Sequence, residues 1–131
     1  LTIENIHVAV GISIFYLTVL RLIYKAFNPT PKLNNSIFPG QKIIAKLNHV
    51  FLYISILMIT ISGALKKLYN GEELDMFFFN LEIQDNFDLA EIFYEIHILG
   101  NYTLIALISL HIFAVLIHKI LFKENLLKRI L

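Results

Sequence analysis

Residues 95–119 read EIHILGNYTLIALISLHIFAVLIHK, a stretch in which the acidic and basic side chains are Glu95, Lys119 at the far end, and three histidines, His97, His111 and His118. The stretch is apolar and long enough to cross a hydrocarbon core ~30 Å thick as one helix. His97 and His111 are two heptads apart and His118 follows one heptad later. The three drift only ~20° per heptad and share one helix face. At ~1.5 Å per residue, the first two lie ~21 Å apart along the axis, so they sit at two depths of a membrane. Imidazoles at such depths are costly to bury and mark function by default.

Working outward, the chain has 131 residues, 57% of them hydrophobic and 16% charged, with a mean hydropathy of +0.70. That is too apolar for a water-soluble domain of this length, and the expected class is an all-α membrane protein, a transmembrane helical bundle forming one domain. There is no cysteine, which excludes disulfides, thiolate metal sites and cysteine-held clusters. Histidine is then the strong transition-metal ligand at hand.

Three spans are expected, at residues 6–24, 43–65 and 96–122. The first is closed by the turn-rich Asn28-Pro29-Thr30-Pro31. Each must be helical, because a backbone in lipid has to satisfy its own hydrogen bonds. Arg21, Lys25, Lys32, Lys42 and Lys46 lie around the first connection with no acidic residue, and the tail carries Lys119, Lys123, Lys128 and Arg129 against Glu124. The positive-inside rule therefore puts the 25–42 loop and the C-terminus in the cytoplasm, and the 70–95 loop in the periplasm of a bacterial inner membrane. That outer loop holds Glu72, Glu73, Asp75, Glu82, Asp85, Asp88, Glu91 and Glu95. Within it, residues 76–79 and 89–94 are expected as short interfacial helices. Lys66 and Lys67, at the outer end of the second span, run against the charge asymmetry. Phe and Tyr at the span ends fit an interfacial belt. Leu1 falls outside in this topology and no signal peptide is visible, so an upstream helix is expected and the chain reads as three quarters of a four-helix bundle.

His7 and His97 fall at the same depth on helices running in the same direction, an arrangement suited to holding haem b between two imidazoles. Gly11 and Gly100, each about one turn inward of its histidine, remove side chains where a porphyrin face would press. His111 lies deep in Leu110-His111-Ile112-Phe113 and needs a partner from the upstream helix. His49, beside Asn48 at the start of the second span, reads equally as a capping or snorkelling residue and as a functional one. His118 is too shallow for a buried haem and well placed to donate a hydrogen bond or proton to a quinone headgroup or a haem propionate. Arg21 either pairs with a propionate or snorkels at the interface and sets topology.

With these residues in view, the chain resembles the bacterial cytochrome b-561 group of small di-haem membrane cytochromes. The resemblance runs through Ile6-His7-Val8-Ala9-Val10-Gly11-Ile12, Leu20-Arg21-Leu22 with Asn28-Pro29-Thr30-Pro31, Leu47-Asn48-His49-Val50-Phe51-Leu52-Tyr53, and Glu95-Ile96-His97 through His111 and His118 to Leu126-Leu127-Lys128-Arg129. It implies a four-helix bundle with two b haems carrying electrons between an outside donor and the quinone pool. Carried over, His7 and His97 ligate the outer haem, and His111 ligates the inner one with a histidine of the family's first helix, which this chain lacks. Lys119 also departs from the family, which often has a histidine doublet beginning at the position of His118. A chain without the first helix is expected to hold only one haem, or none stably.

The expected function is electron transfer from an extracytoplasmic donor, superoxide being one candidate, to ubiquinone. The iron would stay six-coordinate and outer-sphere, so the protein is an electron carrier or quinone-linked oxidoreductase. Partners are membrane lipid, a quinone and a redox protein, and not nucleic acid. The acidic loop suits a cationic or docked protein donor better than anionic superoxide. The alternatives are a haem b membrane-anchor subunit of a larger dehydrogenase or hydrogenase, and, more remotely, a histidine-lined divalent-metal transporter. The latter is disfavoured because no intramembrane Asp or Glu accompanies the histidines.

Overall fold

The computed structural model describes residues 2–28 and 41–121. The turn at residues 29–31, Lys32 and the basic tail from Lys123 to Arg129 lie outside the described residues, as does the side chain of Lys42. Three long helices dominate: α1 (Ile3–Phe27), α2 (Gln41–Tyr69) and α3 (Phe87–Leu121). All three are long and apolar enough to cross a membrane, and together they form an all-α membrane bundle.

The helix ends follow local chemistry. Thr2 caps α1, its hydroxyl accepting from the Asn5 amide at 3.2 Å, with Glu4 in the first turn beside the positive end of the helix dipole. The C-terminus of α2 closes through hydrogen bonds donated by the Gly71 amide to the Leu68 carbonyl and by the Glu72 amide to the Lys67 carbonyl. Gly71 sits at φ +82°, the left-handed conformation that glycine adopts without a steric penalty. Asn86 caps α3, its side-chain oxygen accepting from the Leu89 amide at 3.2 Å.

Residues 89–94 are not a separate interfacial helix. No proline or glycine separates them from Glu95 and Ile96, so α3 runs without a break from Phe87 for 35 residues, about 52 Å. Residues 76–79 are not helical either. Four residues cannot offset the cost of nucleating a helix, and they close a hairpin between β1 (Leu74–Asp75) and β2 (Asn80–Leu81), paired antiparallel with Leu74 opposite Leu81. The Asp75 carboxylate accepts from the Phe77 amide at 2.8 Å and holds Phe77 at φ 72°, a local turn of the kind aspartate favours.

This hairpin does not stand off into water. Leu74 is 1% exposed and forms one apolar cluster with Ile12 of α1 and Leu68 of α2. The Tyr16 hydroxyl donates to the Met76 carbonyl at 2.8 Å, and its ring lies 6.3 Å from Phe77 and 5.9 Å from Phe78. Tyr16 is nine residues beyond His7, about 14 Å along the helix. The hairpin tip therefore folds back beside α1 toward the middle of the bundle.

The helices pack unequally. α2 and α3 are in close contact along their length, α1 leans on α2 over a smaller area, and α1 makes no extended contact with α3. Small residues permit the α2–α3 approach: Ser55 and Ser62 are buried, and a Cβ at Gly100 would stand 2.8 Å from Cγ1 of Ile59. At the hairpin end, Tyr69 stacks on Phe93 at 5.7 Å and Lys66 lies over the Tyr94 ring at 5.5 Å. Most large apolar side chains point outward, as they must when lipid is the solvent.

Candidate haem-binding site

The histidines come in two pairs at two levels. Toward the hairpin end, His7 of α1 and His97 of α3 stand with ring centroids 6.1 Å apart and planes at 89°. Two imidazoles sharing one metal ion from opposite sides have centroids about 6 Å apart, taking about 2 Å per metal–nitrogen bond and about 1 Å from nitrogen to ring centre. The spacing fits. So does the gap, since α1 and α3 make no extended contact and a Cβ added at Gly11 meets nothing within 4 Å.

His97 is held by α2. Its Nδ1 lies 2.8 Å from the Ile59 carbonyl oxygen. A carbonyl can only accept, so Nδ1 carries the proton and Nε2 is the bare nitrogen available to iron. The Ser62 hydroxyl donates to the same carbonyl at 3.0 Å and stands 3.4 Å from Nδ1. Gly63 makes the space: a Cβ there would meet the ring at 2.9 Å from Cε1 and 3.1 Å from Nδ1. Gly100, expected to face a porphyrin, has α2 as its neighbour through Ile59.

At the other end, His111 of α3 is accompanied by His49 of α2, centroids 5.2 Å apart and planes at 54°. The Asn48 side-chain oxygen accepts from His111 Nδ1 at 3.3 Å, again leaving Nε2 bare. Directly packed helices stand 8–10 Å apart, which leaves no room for a macrocycle between α2 and α3. His49 is thus a close neighbour of His111, with no space between the two rings for a macrocycle. Lys25 lies over the Tyr53 ring at 5.2 Å, and it and Arg21 are within electrostatic reach of His49, so α1 brings two cations to this end. His118 is in the last turn of α3 with Lys119. Among the described residues, no group of three His, Asp or Glu converges as a metal-ion site.

Sequence reasoning singled out His7, His97 and His111 but missed what surrounds them. Gly63, in the small run Ser62-Gly63-Ala64, carried a readable signal, since small residues mark close approach inside membranes. The Ile59 carbonyl carried none, because any residue supplies one.

The pattern of the family described as prokaryotic cytochrome b561 matches residues 1–131. Among curated relatives, the chain is 26% identical over 130 residues to cytochrome b561 homolog 2 of Escherichia coli (strain K12), covering 97% of this chain and 69% of that protein. Family membership implies haem b, and the donor set fits that cofactor: acceptors on Nδ1 of His97 and His111 leave Nε2 of each available to iron, and His7 stands opposite His97. With its fold and the full span of the family match in agreement, the chain belongs to the prokaryotic cytochrome b561 family, membrane b-type cytochromes of electron transfer.

Proposed function

We propose that this protein carries electrons from a donor at the hairpin end to a quinone at the opposite end, with a b haem held between His7 and His97. The observation that carries the reading is the 6.1 Å pairing of those two rings across helices that do not otherwise pack. Bound there, haem b supplies a one-electron iron couple. His7 and His97 fix its orientation, the Ile59 carbonyl holds the proton on Nδ1 of His97, and the apolar bundle keeps water away. His111, with Nδ1 engaged by Asn48, would offer Nε2 to a second haem. Redox difference spectra with haem quantification on the full-length protein test this: two low-spin b haems per chain are expected, and a protein without haem refutes it.

The hairpin end faces the periplasm in this reading. The chain lacks cysteine, so Lys32→Cys and Glu73→Cys can be labelled singly with an impermeant thiol reagent. They are expected to react from opposite sides of the membrane, and labelling of both from one side contradicts the topology. Asp88, Glu91 and Glu95 flank a shallow groove with Ile92 and Ile96, close in sequence to His97. That favours a cationic protein donor over superoxide.

At the cytoplasmic end, a quinone accepting two electrons also takes two protons, and His118 delivers one of them. His118→Ala is expected to leave haem content intact and slow quinone reduction about 100-fold, the lower end of the range for loss of a positioned proton donor. Unchanged kinetics would return His118 to an interfacial role.

A further inference from the structure

We propose that Asn48 is a positioning residue that sets the basicity of His111 and thereby the potential of the haem His111 serves. The inference rests on the reading of His111 as a ligand and goes beyond it in assigning a function to α2, a helix that supplies no ligand in that reading. α2 nevertheless supplies the acceptor for Nδ1 of two of the α3 histidines: the Ile59 carbonyl at 2.8 Å from His97 and the Asn48 oxygen at 3.3 Å from His111.

The two acceptors differ in kind. The Ile59 carbonyl belongs to the helix backbone and is shared with the Ser62 hydroxyl at 3.0 Å, so its strength does not depend on the side chain at position 59. Asn48 acts through a half-buried side chain in the third turn of α2, and one substitution changes it. An acceptor on Nδ1–H pushes electron density onto Nε2. A stronger acceptor gives more imidazolate character, favours ferric over ferrous iron and lowers the potential, and a missing acceptor does the reverse. Asn48 also holds the ring against rotation, since the bond ties it to α2 beside His49, 5.2 Å away.

The experiment uses the full-length haem-loaded protein. Asn48→Asp, Asn48→Leu and Asn48→Gln are compared with wild type by redox titration and ferric low-spin resonance, and His111→Ala identifies which haem responds. Asn48→Asp is expected to lower and Asn48→Leu to raise the midpoint potential of that haem alone, with Asn48→Gln returning toward wild type. The low-spin signal of the same haem should shift with it. A purely structural role for Asn48 moves both variants in one direction or moves both haems, and either result overturns the proposal, as does an unmoved potential. If Asn48→Asp assembles no haem, the sign for Asn48→Leu decides alone. Retention of both haems in His111→Ala overturns the ligand reading itself. Loss of one haem in His111→Ala, with potentials in the Asn48 variants unmoved, overturns only the inference about Asn48.

Discussion

His97→Ala is expected to abolish the low-spin bis-imidazole signature of the haem nearer the hairpin, and His7→Ala to do the same. The reason is geometric: the two rings stand 6.1 Å apart on helices that otherwise make no extended contact, and among the described residues no third His, Asp or Glu converges with them to replace either one. Loss of one ring leaves iron five-coordinate and high-spin, or leaves the site empty. The bundle itself should persist. The Ile59 carbonyl that loses its bond from His97 Nδ1 still accepts from Ser62, and the removed ring is only half-buried. Helical content by circular dichroism should therefore match wild type while the haem-to-protein ratio or the low-spin fraction falls by one site. Two intact low-spin haems in either variant would sink the pairing.

What could be read from the sequence was depth, and what could not was azimuth. Counting along a helix places His7 and His97 near one end and His111 deep, because rise per residue is nearly constant. Which faces of two helices meet depends on where small residues lie on both, and no single segment carries that. His49 illustrates the point: its depth matches His111, yet a capping role looked equally reasonable until the α2–α3 packing brought the rings to 5.2 Å. Depth alone points Gly100 at the cofactor, whereas its azimuth places it against Ile59. The hairpin failed for another reason. Glu72, Glu73 and Asp75 signal water, and residues 77–79 are three consecutive phenylalanines. A loop with both can only be placed once its anchor is known, and that anchor, Tyr16, lies some 60 residues earlier in the chain.

Gly63→Val should remove the same low-spin signal as His97→Ala although residue 63 touches no iron. A Cβ at position 63 would stand 2.9 Å from Cε1 and 3.1 Å from Nδ1 of His97, so the ring must move. A surface ring could swing aside at little cost. This one is held by a 2.8 Å bond to the Ile59 carbonyl and, in the proposed site, by iron on the other nitrogen, and it cannot keep both. Valine adds two further methyl groups at the point of contact, against an overpacking cost of about 1–3 kcal/mol. Gly63→Ala, with one carbon, is expected to retain haem with a shifted potential, since the Nδ1 bond lengthens before the iron bond breaks. Gly100→Ala separates a ligand effect from loosening of the helix pair. Its Cβ would meet Cγ1 of Ile59 at 2.8 Å, so it strains the same α2–α3 interface by a comparable amount without touching the imidazole. Thermal unfolding in detergent should fall in Gly63→Val and Gly100→Ala alike, and the low-spin signal should vanish only in the first. If Gly100→Ala loses that signal equally, Gly63 acts through general packing, and if Gly63→Val keeps it with an unchanged potential, the slot is not what holds His97.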